Sequence, residues 1–145
     1  MSGFTFSERM AGTYTRPGSH EAHSIEITGT ARVVSLRQHL RTQKATFAGR
    51  IKMEAVAADA AFSGELTLSP LFGHFIRYDL DFTSDEGEHF LFRGQKNYKL
   101  QDLKSSMATL PATIEKSDGT LFAEAVLTFD WRELPAFLGS FRPLI

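Results

Sequence analysis

Apolar and polar residues alternate along most of this chain, and a period of two marks a strand with one buried face. The clearest stretch is Ile76-Arg77-Tyr78-Asp79-Leu80-Asp81-Phe82, apolar on one face and charged or polar on the other. The same pattern predicts strands at roughly 4–15, 24–34, 45–56, 61–69, 74–84, 88–98, 106–116 and 120–130. Turn chemistry separates them: Ser84-Asp85-Glu86-Gly87 and Ser117-Asp118-Gly119 each end on a glycine able to take positive φ. The strand 120–130 is apolar on both faces in part (Leu121, Phe122, Ala125, Val126 and Leu127), which predicts cover on both sides from the C-terminal segment.

Two segments break the alternation. Ser35 to Thr42 has Leu36 and Leu40 at i, i+4 with Ser35 as N-cap, which predicts a short helix. Trp131 to Ser140 places Trp131, Leu134, Phe137 and Leu138 on one stripe, with Asp130 as cap and Pro135 in the first turn. Glycines also fall in mid-strand, at Gly12, Gly29, Gly49, Gly64 and Gly94. They weaken a flat sheet but suit a bent, closed one, where strands coil and backbones approach. Eight antiparallel strands of about ten residues, with short connections, predict an all-β, up-and-down, lipocalin-like barrel formed by residues 1–145 as one domain. A two-sheet β-sandwich is the alternative, since alternation alone does not establish closure.

Composition supplies material for that interior and removes several chemistries. Thirteen Phe, three Tyr and one Trp offer large buried areas. A net charge of −1 gives no global field for nucleic acid or an anionic membrane. With no Cys there is no disulfide, thiolate nucleophile or Cys-type zinc site. Residues 1–12 carry Glu8 and Arg9 and lack the apolar run of a secretory leader, and no segment approaches the ~18 apolar residues of a membrane span. The expected location is the cytoplasm.

Several positions taken together carry a resemblance. Phe4-Thr5-x-x-Glu8-x-Met10-x-Gly12 is one set, and Ile76-x-Tyr78-x-Leu80-x-Phe82 followed by Gly87 and Gly94-x-Lys96 is a second. Thr109-Leu110, Gly119 and Phe129 with Leu134 are a third. They resemble the first strand, central hairpin and closing strands of the β-domain found beside or fused to glucose–methanol–choline, cholesterol-oxidase-like oxidoreductases. The resemblance implies an accessory or ligand-associated domain standing alone, with an oxidoreductase as a partner. No Gly-x-Gly-x-x-Gly follows a strand here, so flavin binding and oxidase activity are not carried over.

Catalytic motifs are missing. There is no Gly-x-Ser-x-Gly elbow, and Asp79 and Asp81 read as a solvent face rather than an acid–base pair. His20-Glu21-Ala22-His23 lacks the spacing of a helical zinc motif and reads as a polar loop, so no metal or cofactor is expected. Between Glu26 and Glu54 there are only basic charges, and Arg37 and Arg41, one helical turn apart, with Lys44 form a candidate patch for an anion or an acidic partner.

For a ligand inside the barrel, the candidate polar residues are His89, Arg93 and Gln95 on one face of strand 88–98, with Tyr14, Tyr78 and Trp131. Phe90, Phe92 and Lys96 occupy the other face of that strand, and either face reads as interior. Three functions follow from this pattern. The first is a non-catalytic barrel that binds an apolar or amphipathic small molecule. The second is a structural or protein-interaction domain with a filled core, self-associating or docking a partner. The third is a small barrel enzyme with a cavity acid or base. Absent catalytic spacing favours a non-enzyme.

Overall fold

In the computed structural model of the chain, which describes residues 3–35, 44–69, 75–97, 108–129, 139, 140, 142 and 143, the eight alternating segments form antiparallel strands. These are β1 (Phe4–Thr15), β2 (His23–Val33), β3 (Lys44–Met53), β4 (Ala57–Ser69), β5 (Phe75–Thr83), β6 (His89–Asn97), β7 (Thr109–Lys116) and β8 (Leu121–Thr128). A two-residue β9 (Arg142–Pro143) lies on the start of β1. Each of the eight pairs with the next, and β8 returns to β1, with Ala11–Thr15 against Glu124–Thr128. The sheet is a closed up-and-down barrel, which excludes the two-sheet sandwich. The two expected helices fall outside the described residues, apart from Ser35 and the ends at Gly139 and Ser140.

Closure gives every strand one inward stripe. Met10 and Tyr14 on β1, Ile25 and Ile27 on β2, Phe47 and Ile51 on β3 and Phe90 and Phe92 on β6 are all buried. Aromatic rings fill much of the interior: Phe47 and Phe62 lie 5.3 Å apart between centroids, and Phe82 and Phe90 lie 5.6 Å apart. The coiling that closes eight strands needs backbones without Cβ atoms at some crossings. A Cβ at Gly64 would sit 2.0 Å from the Asp79 carbonyl oxygen on β5, and one at Gly49 would sit 2.0 Å from that of Thr28 on β2.

The two ends differ. At one, a loop over residues 16–22 joins β1 to β2 and shorter turns join β3 to β4, β5 to β6 and β7 to β8, with Gly18, Gly87 and Gly119 all at positive φ. Phe122 plugs this end, its ring 4.7 Å from that of Phe90 and capped by the Arg16 guanidinium at 3.9 Å. Arg16 Nε also donates to the Phe122 carbonyl at 2.7 Å. At the far end the inward residues Phe4, Phe6, Leu68 and Ile76 are only partly buried.

Two seams are short. β1 pairs with β2 over eleven residues, yet with β8 over only five, and β6 pairs with β7 over five. The β6–β7 ladder stops at Gly94 and Ala112; the next position on β7 is Pro111, which has no N–H to donate. Beyond its last pair with β8, β1 is held by the C-terminal segment: Ser140 Oγ accepts from Ser7 N–H at 2.8 Å.

Two expectations are corrected. The chain reverses at Glu54–Val56 rather than between 56 and 61, and β4 starts at Ala57. Ala55 takes φ 65 there without help from glycine. Tertiary hydrogen bonds hold this turn: Glu54 N–H to Ser24 O at 3.0 Å, and Asp85 N–H to Val56 O at 3.0 Å. The outer face of β8 is also less covered than its composition implied, since Val126 is 49% exposed and Leu121 is exposed as well.

Gly64→Ala should destabilise the barrel by about 1–3 kcal/mol, because the added methyl meets backbone rather than a movable side chain. Urea unfolding of the variant beside the wild type measures it.

Candidate functional site

Two inward stripes carry a charge. On β1 the run Phe4, Phe6, Glu8, Met10 puts a carboxylate among apolar positions, and on β6 Phe90, Phe92, Gly94, Lys96 puts an ammonium there. In the strand order around the barrel β1 stands opposite β5 and three places from β6, so inward groups on these strands meet across the interior. Glu8 Oε1 accepts from the Tyr78 hydroxyl at 2.6 Å, and Glu8 Oε2 accepts from Lys96 Nζ at 3.2 Å. The ammonium also lies 5.6 Å from the centre of the Tyr78 ring. The side chains of Lys96 and Glu8 are 2% and 10% exposed.

Burial sets the protonation of the phenol. Desolvation pushes Tyr78 well above its ordinary pKa, the nearby Glu8 carboxylate adds to the shift, and Tyr78 remains a neutral donor. Both oxygens of Glu8 are engaged. Lys96 is not so well served, for an ammonium has three N–H donors and Glu8 is its single acceptor among the described residues. Among the described residues its other two N–H groups have no acceptor, in surroundings where polar groups are costly to leave unpaired.

The cluster divides the interior. Toward the turns Met10, Ile27, Leu80, Phe92 and Ile114 are fully packed. Phe47 meets the Tyr78 ring edge-on at 5.9 Å, and the absent side chain of Gly29 leaves room for Phe47 and Phe62, since a Cβ there would lie 2.7 Å from both rings. Toward the far end Ile76 stands directly across from Lys96, and Leu68 across from Ile76; both are part-buried.

Of the residues expected to line a cavity, Tyr14 and Tyr78 do point inward, but at different places. Tyr14 belongs to the turn end: its hydroxyl donates to the Glu54 carbonyl, and its ring lies 5.2 Å from His23. His89, Arg93 and Gln95 point outward, which corrects their placement inside. The parity of β6 turns Phe90, Phe92 and Lys96 to the core and these three to the surface. His89 Nε2 meets Asp81 Oδ1 at 3.0 Å, Arg93 lies 3.8 Å from both Asp79 and Glu115, and Gln95 accepts from Arg77 Nε at 3.1 Å. Arg93 and Gln95 border a shallow outer groove of about 710 Å³ that also touches Thr13, Glu124 and Val126. Trp131, Arg37 and Arg41 lie outside the described residues. Lys44 is exposed on β3, 3.5 Å from Glu65 and bonded to Thr67 Oγ1 at 3.1 Å.

His23, from the polar loop considered for metal, instead meets Glu54 Oε2 through Nδ1 at 2.9 Å. Among the described residues no three His, Asp or Glu side chains are grouped to hold a metal ion. None of the described helices is long and apolar enough to cross a membrane.

The alternation pattern contained Glu8 and Lys96 without singling them out. The usable signal was a charge of each sign interrupting the apolar stripe of two different strands. The same positions belong to the motifs on which a family resemblance was expected, and most of those motif residues, including Met10, Tyr78, Leu80 and Phe82, are barrel interior. No family model, curated protein or solved structure matches this chain.

Removing one partner of the buried pair should cost far more than removing both. Lys96→Met alone is expected to destabilise by about 3–5 kcal/mol, with most of that regained in Glu8→Gln/Lys96→Met, as denaturant melts of the three proteins would measure. At the turn end, hydrogen bonds from His23 and then Ser24 hold Glu54 below its ordinary pKa of 4.5. A carboxylate with a depressed folded-state pKa stabilises the fold above the unfolded value and loses that contribution as pH falls through the folded one. The melting-temperature difference between wild type and Glu54→Gln should therefore be largest near neutrality and disappear in acid.

Proposed function

We propose that this chain is a non-catalytic binding barrel that takes an amphipathic small molecule through the end opposite the four turns. The observation that carries this reading is Lys96, a buried ammonium with two N–H groups lacking an acceptor among the described residues, set beside part-buried apolar residues. A ligand with a polar head and an apolar body would give acceptor atoms to Lys96 and contact area to Leu68 and Ile76. Lack of catalytic spacing in the sequence, and a His89 that faces solvent, support a carrier or sensor role over an enzyme. A cytoplasmic setting, suggested by the cysteine-free composition, belongs to the same proposal.

The second reading, an interaction domain with a filled core, is favoured by a different observation. Val126 stands exposed beside the outer groove formed by β1, β5, β6, β7 and β8. A docked partner, whether an oxidoreductase or a second copy of the chain, would use that surface and leave the interior untouched.

Titration with the neutral apolar dye N-phenylnaphthylamine separates the two. A ligand-binding barrel gives saturable fluorescence enhancement with one site per chain, lost in Ile76→Arg and kept in Val126→Glu. Absence of saturable enhancement, or its loss in Val126→Glu alone, would overturn the binding reading.

A further inference from the structure

Resting on the outer groove of the second reading, and not on what the interior holds, we infer that this face joins two copies of the chain about a two-fold axis at Thr113. The strand register lays one outward residue from each of five strands in a single row across the face. Thr15 stands beside Glu124, Glu124 beside Thr113, Thr113 beside Arg93, and Arg93 beside Asp79. All five line the groove, and all lie within described strands.

Thr113 is the midpoint of that row, one strand away from a carboxylate on β8 and one strand away from a guanidinium on β6. Both charges are short of partners. The exposed carboxylate of Glu124 has no hydrogen bond or ion pair among the described residues. Arg93 stands 3.8 Å from both Asp79 and Glu115, near enough for charge attraction and too far for a hydrogen bond. Its N–H donors are therefore unused among the described residues.

Opposite charges set on either side of one point are what a two-fold axis matches. Rotation about an axis through Thr113, perpendicular to the face, exchanges β8 with β6 and β1 with β5. Each Glu124 then lies against Arg93 of the other copy, and each Thr15 hydroxyl against Asp79 of the other copy. The same rotation carries Val126, two residues along β8, onto Leu91, two residues the opposite way along β6. Val126 is exposed and Leu91 is part-buried on the outward side of its strand, so apolar contact flanks the charges. Carboxylate and guanidinium can pair through two parallel bonds, and the axis makes that pair twice. A foreign partner of one sign would be attracted by one half of the row and repelled by the other; the chain's own face is the complement the pattern specifies. The row spans about 19 Å at the usual strand spacing, short of a permanent interface, which gives a reversible dimer.

Sedimentation velocity from about 10 μM to about 1 mM chain tests the inference, and the wild type should pass from monomer to dimer over that range. Glu124→Arg and Arg93→Glu, each checked by its thermal melt, set like charges together twice per dimer and should weaken association about tenfold or more. An equimolar mixture of the two variants restores both pairs between unlike chains, and should associate within about threefold of the wild type. The protein has no cysteine, so Thr113→Cys supplies a single thiol at the axis. Copper–phenanthroline should cross-link it far faster than Ser63→Cys, on the outer face of β4. A wild type that stays monomeric at about 1 mM overturns the inference and leaves the groove to a foreign partner. Association unchanged in both single variants, or a mixture no stronger than either alone, overturns the pairing of Glu124 with Arg93. Cross-linking of Thr113→Cys no faster than that of Ser63→Cys overturns the axis. The dye titration, repeated on monomeric Glu124→Arg, reads the interior separately from all of these.

Discussion

A carboxylate and an ammonium turned into an apolar barrel have to find each other, because neither is tolerated there alone. Glu8 meets Lys96 and Tyr78 across the interior, tying β1 to β5 and β6 by a route that does not follow the sheet. The contact blocks the interior at that level. Packed hydrocarbon lies on the turn side of it; on the other side Val33, Ala45 and Leu110 are buried while Phe4, Phe6, Leu68 and Ile76 are part-buried. The pair is poor evidence for added stability, since desolvation offsets much of the attraction. What it does supply is a polar contact across an otherwise apolar interior.

The strand pairing follows the same division. β1 leaves β8 after Ala11, three residues before Glu8 is reached along the strand, and β6 leaves β7 after Gly94, two residues before Lys96. The charged residues thus stand where the ladder is thinnest, between the two short seams. Regions with few shared backbone bonds open at lower free energy than the rest of a fold. At the opposite end the tight turns, the Phe122 plug and the ties among Tyr14, His23, Ser24 and Glu54 leave little freedom.

The mid-strand glycines connect these features to the backbone. Gly49 and Gly64 let neighbouring strands come closer than a Cβ would permit, which is how eight strands coil tightly enough to close. Tight closure narrows the interior until a single carboxylate can reach two strands on its far side. Gly29 serves packing instead, vacating the space that Phe47 and Phe62 fill beside Tyr78.

Most of this barrel was legible in the chain because period-two alternation is a local property, written residue by residue in runs such as Ile76–Phe82. The number of strands, most of their bounds and the turns at Gly87 and Gly119 come from that level. Three things do not. The Glu54–Val56 turn contains no glycine or proline; besides its own Val56 N–H to Met53 O bond it is tied by bonds with Ser24 and Asp85, far away in sequence. The inward face of β6 was ambiguous, since each face holds both charge and apolar bulk; only closure of the sheet turned Lys96 in and His89, Arg93 and Gln95 out. The partnership of Glu8 with Lys96, 88 residues apart, needs strands brought together across a closed barrel. Sequence alone determined which residues alternate. Which side of each strand becomes the interior, and which charges share it, is a long-range matter of closure that only the tertiary structure decided.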